Sequence, residues 1–139
     1  MEQIKKMKRA LLIGLFIIQT LFVFGQAKVL TDDDYNKSGA IKLTFVTTKT
    51  EAIELAKNDI EKGTPFILLQ SGIAPVVYAT DSIFESKFKV YYYEQGCVGP
   101  NNELMKEYNY VIFNYLSETY GKKWRREIRK DAIGLRQWK

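Results

Sequence analysis

The stretch that decides the fold is FESKFKVYYYEQGCVGPNNELMKEYNYVIFNYLSETYGKKWRREIRKDAIGLRQWK, residues 84–139. Residues 89–93 are rich in strand formers. In a strand, successive side chains point to opposite faces, so Tyr91 and Tyr93 share one face and Tyr92 takes the other. The GCVGPNNE segment breaks regular structure. Asn101 or Asn102 then caps a long helix, with Glu103 favouring its positive N-terminal end. Leu104, Tyr108, Val111, Ile112, Tyr115, Leu116 and Thr119 recur at helical spacing, and Gly121 ends the run. A second helix is expected beyond it. Trp124, Ile128, Ala132 and Leu135 fall on one side of that helix, with Lys123, Arg126 and Lys130 on the other, and Glu127 and Asp131 are available for i,i+4 pairs.

Working back toward the N-terminus, residues 41–46 alternate Ile41, Leu43 and Phe45 against Lys42 and Thr44, which predicts a first strand. Thr48 and Glu51 fit a capping box at the start of a helix running to about Lys62. Ile53, Ala56 and Ile60 are its expected inward residues, and Gly63 is its stop. Residues 66–70 form a short apolar run between Pro65 and Ser71-Gly72, read as a buried strand. Residues 76–79 are a further short strand by the same reading. Asp81 caps a brief helix through Phe88. The expected fold is a small single α/β domain. Its three- to four-stranded sheet packs with an amphipathic helix near the N-terminal side and with two C-terminal helices.

Residues 1–25 read as a secretory signal peptide, with residues 26–139 as the one domain. The basic KKMKR is followed by an apolar run over residues 10–24 and by small residues at Gly25 and Ala27. Cleavage after Gly25 leaves Gln26 first. The run of about 15 residues is short for a bilayer crossing of roughly 20, and an uncleaved N-terminal membrane anchor is the competing reading. The chain is expected to be exported, periplasmic or secreted.

Part of the formal charge of +5 belongs to that leader. Residues 121–139 carry eight basic and two acidic side chains, so residues 26–120 are net acidic. A basic end on an acidic body suits an anionic partner, or a positive face that simply meets water. The chain has no histidine and one cysteine. That excludes histidine-based triads, histidine-containing zinc sites and an intrachain disulfide.

The candidates for chemistry each have a plainer reading beside them. Cys97 lies in a loop of small neighbours, yet a nucleophile needs a base and none is evident. It reads as a small hydrophobe in a tight loop, with catalysis or a Cys97-linked dimer as the alternatives. Asp32, Asp33 and Asp34 lack the alternating positions of a calcium loop, and no metal or cofactor is expected. Glu85, Glu94, Glu103 and Glu107 flank the distinctive stretch, and a pair of them can serve as acid and base if the fold brings them together. Tyr92 is a candidate where a sheet face is uncovered. Arg126, Arg129, Arg136 and Trp138 make the basic end a candidate surface for an anionic envelope component. Nucleic acid does not suit an exported chain with an acidic body.

The segment FESKF, Phe84 to Phe88, followed by VYYYEQGCVGP and by YNYVIFNYLSETYGKKWRREIRKDAIGL, resembles the FEKKY domain of bacterial, often exported, proteins. Ser86 stands for the first lysine of that motif and Phe88 for its tyrosine, so any role of the tyrosine hydroxyl does not transfer. The resemblance implies a shared fold and supplies no catalytic residue. The expectation is therefore a monomeric, non-enzymatic binding or accessory module for a protein or envelope component. A small carboxylate- or cysteine-dependent enzyme is the alternative.

Overall fold

In the computed structural model, which describes residues 28–70, 72–96 and 99–139, a parallel pair of strands is the centre around which five helices gather. The helices are α1 (Asp32–Asn36), α2 (Gly39–Lys42), α3 (Lys49–Glu61), α4 (Asp81–Phe88) and α5 (Asn102–Tyr120). The strands are β1 (Phe66–Leu69) and β2 (Tyr91–Glu94), in register from Phe66 opposite Tyr91 to Leu69 opposite Glu94. The leader expected over residues 1–25 and Cys97 lie outside the described residues.

Several elements form for the reasons the sequence offers. The Thr48 side chain accepts from the Glu51 amide while the Glu51 carboxylate accepts from the Thr48 amide, closing the capping box that starts α3. Asn101 caps α5 through the Glu103 amide at 2.8 Å, and Gly121 ends it at a φ of 68°. All four residues of β1 are buried. Leu104, Tyr108, Ile112 and Leu116 of α5 are buried too, joined by Asn109 and Phe113, whereas Thr119 is exposed. On α3 the fully buried positions are Ala52, Ala56 and Asp59; Ile53 and Ile60 are half-buried.

The expected three- to four-stranded sheet is not there: the described residues hold two strands, and helix dominates. Three segments account for the difference. Residues 41–46 are not a strand but α2 and a 3-10 turn over Leu43–Phe45. Their alternation does not encode two faces, since Leu43 is buried and Phe45 is 81% exposed. Ser38 Oγ accepts from the Ile41 amide, and the Asp59 carboxylate accepts from Gly39 and Ala40, so the free amides of a helical turn are satisfied there. Residues 76–79 find no strand partner and lie exposed. The expected second C-terminal helix is a 3-10 turn over Lys123–Arg126 followed by turns. Trp124, Ile128 and Ala132 are buried, as that helical spacing intended, but the chain bends to bring them in.

The bend serves β1. Its outer edge would otherwise leave backbone groups buried and unpaired, which costs about 1–3 kcal/mol each. Asn109 of α5 supplies a strand's worth of partners from one side chain. Its Oδ1 accepts from the Leu68 amide at 2.9 Å, and its Nδ2 donates to the carbonyls of Leu68 and Ile133 at 2.8 Å. The C-terminal segment completes the edge through Ile133 N–H to the Leu68 carbonyl, Gln70 N–H to the Asp131 carbonyl and a single antiparallel bridge between Leu69 and Ala132. Gly134 turns at a φ of 79° against Tyr110, where a Cβ would come within 2.8 Å of the ring.

Asp59 locks α2 onto α3. It is fully buried and accepts from Gly39 N–H at 2.7 Å, Ala40 N–H at 3.2 Å and the Tyr108 hydroxyl at 2.6 Å. Gly39 approaches so closely that a Cβ there would lie 2.5 Å from the Leu55 carbonyl oxygen. Burial pushes the Asp59 carboxyl above its ordinary 3.8, and the hydrogen bonds from Tyr108, Gly39 and Ala40 oppose this without cancelling it. A carboxyl whose folded pKa is raised holds its proton more tightly when folded. Its contribution is therefore full below 3.8 and is lost as pH rises through the folded value. Relative to Asp59→Asn, the wild type is expected to lose stability as pH climbs above 3.8, measured by urea denaturation at stepped pH. A difference independent of pH would show that the Asp59 charge is not what burial opposes.

Candidate functional site

A cleft of about 570 Å³ opens between α4, β2 and the loop that carries residues 75–79. Its position follows from how α4 is tied to β2. Lys89 ends α4 in the left-handed region, at a φ of 53°, and the chain reverses directly into the strand. The Glu85 carboxylate then accepts from the Tyr92 amide at 2.9 Å, occupying a backbone donor on the strand's outer edge. The Tyr run divides as strand geometry requires. Tyr91 and Tyr93 face Phe66, with ring centroids 6.0 Å away in both cases, and Tyr35 lies 6.3 Å from Tyr93. Tyr92 stacks on Phe84 at 5.1 Å on the opposite face. Phe84 and Phe88, the ends of the FESKF stretch, are each 2% exposed and 4.8 Å apart.

Arg129 reaches into this cleft from the C-terminal segment. Nη1 donates to the Val76 carbonyl at 2.6 Å and to Asp81 Oδ2 at 3.1 Å, while Nε and Nη2 hold the two oxygens of Asp131. Its guanidinium lies 4.8 Å from the Tyr78 ring centroid and 5.7 Å from that of Tyr92. Its backbone amide donates to the Tyr92 hydroxyl at 3.1 Å. Hydrogen bonding to Asp131 holds the guanidinium even more firmly charged than usual. Burial pushes the Tyr92 hydroxyl well above its ordinary range, so it stays a neutral partner.

Three carboxylates line the same space. Asp81 is 7% exposed; its Oδ2 accepts from the Tyr78 amide and from Arg129, whereas its buried Oδ1 has no donor. Glu94 Oε1 accepts from the Val76 amide at 3.2 Å and stands 3.7 Å from Arg129 Nη2. Burial raises the Glu85 pKa; the hydrogen bond from the Tyr92 amide opposes this, and the charge of Asp81 adds a smaller push upward. Among the described residues no three acidic or sulfur ligands converge closely enough to hold a metal ion.

The lip of the cleft is apolar and open to solvent. Val76 is 48% exposed, Val77 85% and Tyr78 53%, with Ile73 and Ile83 exposed nearby in sequence. Isolated exposed apolar side chains are ordinary, but a run of them beside a cleft marks a surface that meets something.

Of the six residues singled out from the sequence, Cys97 lies outside the described residues, and the other five do not form one surface. Tyr92 and Arg129 meet in the cleft, and Arg129 is buried rather than part of a positive outer face. Arg126 borders a separate hollow with Lys122, Lys123 and Glu127. Arg136 borders a different hollow of about 780 Å³ at the C-terminal ends of both strands, with Lys106 and Lys130. There Lys106 is spent on Glu103 at 2.7 Å, and among the described residues lining the hollow no charged side chain is buried, so the smaller cleft is the stronger site. Trp138 packs 5.7 Å from Phe113 and 5.5 Å from Trp124, donates to Asn114 Oδ1 and carries Arg125 over its ring at 4.7 Å. Nothing local in the sequence marks Val76 and Tyr78 as site residues, and Asp81 reads there as a helix cap, because their shared partner Arg129 lies about 50 residues away. No family model, curated protein or solved structure matches the chain.

Proposed function

We propose that this chain is an exported, non-enzymatic binding module of the FEKKY type that grips a protein partner at the lip of the cleft. The observation that carries this is the exposed apolar trio Val76, Val77 and Tyr78 at the lip, with Ile73 and Ile83 exposed nearby in sequence, beside a cleft whose floor is fixed by Arg129. Ligand sites are usually largely preformed, with a few fixed polar groups set among apolar and aromatic side chains. A loop held by its backbone, as Val76 is by Glu94 and Arg129, loses less freedom on binding than a slack one.

The test is photo-crosslinking from position 77 in the full chain as exported. One protein adduct of defined mass is expected. Ile73→Asp is expected to weaken capture about tenfold, a loss of one well-buried apolar contact. Ile73 is wholly exposed, so the thermal midpoint of that variant should match wild type. No adduct, or an adduct indifferent to Ile73→Asp, would remove this reading. A carboxylate-dependent enzyme is the second reading, favoured by the raised pKa of Glu85 near Asp81. Against it, Glu85 and Glu94 each commit an oxygen to a backbone amide, which is the work of structural caps.

A further inference from the structure

We infer that the cleft takes a positively charged side chain, the ammonium or guanidinium of a lysine or arginine that the partner carries next to an apolar residue. This rests on the binding reading above and supplies the partner's chemistry. Charge comes first. Asp81, Glu85 and Glu94 line the cleft against the single cation Arg129, and Arg129 is already held by Asp131 through Nε and Nη2 and by Asp81 through Nη1. Among the described residues no lysine or arginine forms an ion pair with Glu85.

The hydrogen-bond inventory points the same way. Asp81 Oδ1 is a nine-tenths buried acceptor with no donor. Glu85 and Glu94 bind backbone amides through one oxygen each. The cleft is thus short of donors, and an ammonium brings three and a guanidinium five. Burial and the Asp81 charge both disfavour ionisation of Glu85, the condition an incoming cation relieves.

Shape and surface fit an organic cation better than an ion. The space of about 570 Å³ is of ligand size, and its acids stand too far apart to form a metal's ligand set. Tyr35, Tyr78, Tyr92 and Tyr93 line it, and two of these already present ring faces to the Arg129 guanidinium. Tyrosine faces attract cations, most strongly where water is excluded. Val76 and Val77 at the lip match the apolar stem of a long basic side chain. Carboxylate walls repel phosphate, so a phospholipid headgroup is the poorer occupant.

The experiment titrates the full chain with the dipeptide acetyl-Leu-Lys-amide and with its Nζ-acetylated form, followed by the backbone amide resonances of Val76, Tyr92 and Glu94. The charged form is expected to bind about tenfold tighter, the scale of one charge-assisted contact. Glu94→Gln keeps an oxygen for the Val76 amide and should weaken the charged form about fivefold without moving the thermal midpoint. Equal binding of the two dipeptides, shifts confined to other residues, or no shift at millimolar dipeptide would overturn the inference. So would tighter uptake of phosphatidylethanolamine vesicles than of the dipeptide. If the dipeptide fails while Ile73→Asp still releases the crosslinked partner, the cation is wrong and the binding module stands. If the crosslink fails as well, both fall.

Discussion

Arg129→Ala is expected to lower stability by about 3–5 kcal/mol, the cost of stripping one partner from a buried ion pair. The reason is what it leaves behind. Asp81 would keep only the Tyr78 amide, Asp131 would lose two donors, and the Val76 carbonyl would lose its partner. Arg129→Lys should recover only part of this, because an ammonium cannot present the planar fork that reaches both Asp131 oxygens and Asp81 together. Asp81→Asn in the Arg129→Ala background should restore about 1–2 kcal/mol by removing a buried charge without a partner. Urea denaturation of the four proteins measures each quantity. An Arg129→Ala protein as stable as wild type would mean that the network adds nothing beyond its desolvation cost. Charge reversal of the basic end is therefore informative at Arg126 and Arg136, which are exposed, and uninformative at Arg129.

Asn109→Asp is expected to cost about 3–5 kcal/mol at neutral pH, since it buries a charge and leaves hydrogen bonds unmade. The substitution preserves shape and exchanges a donor for an acceptor. Nδ2 donates to the Leu68 and Ile133 carbonyls, and a carboxylate oxygen there would face both with no proton to share. Because the position is fully buried, the introduced carboxyl would have a raised folded pKa. Its penalty is then smallest below its unfolded value of about 3.9 and grows as pH rises toward the folded one. Asn109→Ala loses the same bonds without a charge, so its deficit should stay level across that range. Parallel pH series of the two variants separate the charge from the missing bonds. A level profile for Asn109→Asp would show that the edge of β1 is satisfied by something other than this amide.

Both effects arise from single side chains that stand in for secondary structure. Asn109 replaces part of a neighbouring strand, and Arg129 replaces the backbone partners that residues 76–79 would have had in a sheet. That substitution explains why the sequence points to more strands than the described residues hold. Residues 76–79 have strand composition, but a guanidinium and a glutamate occupy backbone groups of Val76.

Read alone, the sequence specifies local features. The capping box at Thr48 and Glu51, the Asn101 cap, the glycine stop at Gly121, the buried run of β1 and the opposite faces of Tyr91 and Tyr92 all depend on residues within a turn or a pleat of one another. It also marked Tyr92, Glu85 and Glu94, though without placing them together. The long-range features come from tertiary contacts: Asp59 and Tyr108 secure a helical turn at Gly39, the C-terminal end bends onto β1, and Arg129 turns inward among Asp81, Asp131 and Tyr92. Periodicity correctly put Trp124, Ile128 and Ala132 inside and could not specify the path between them. Burial depends on which residues are apolar. The path depends on which backbone groups would otherwise be left without partners, and those partners lie tens of residues away.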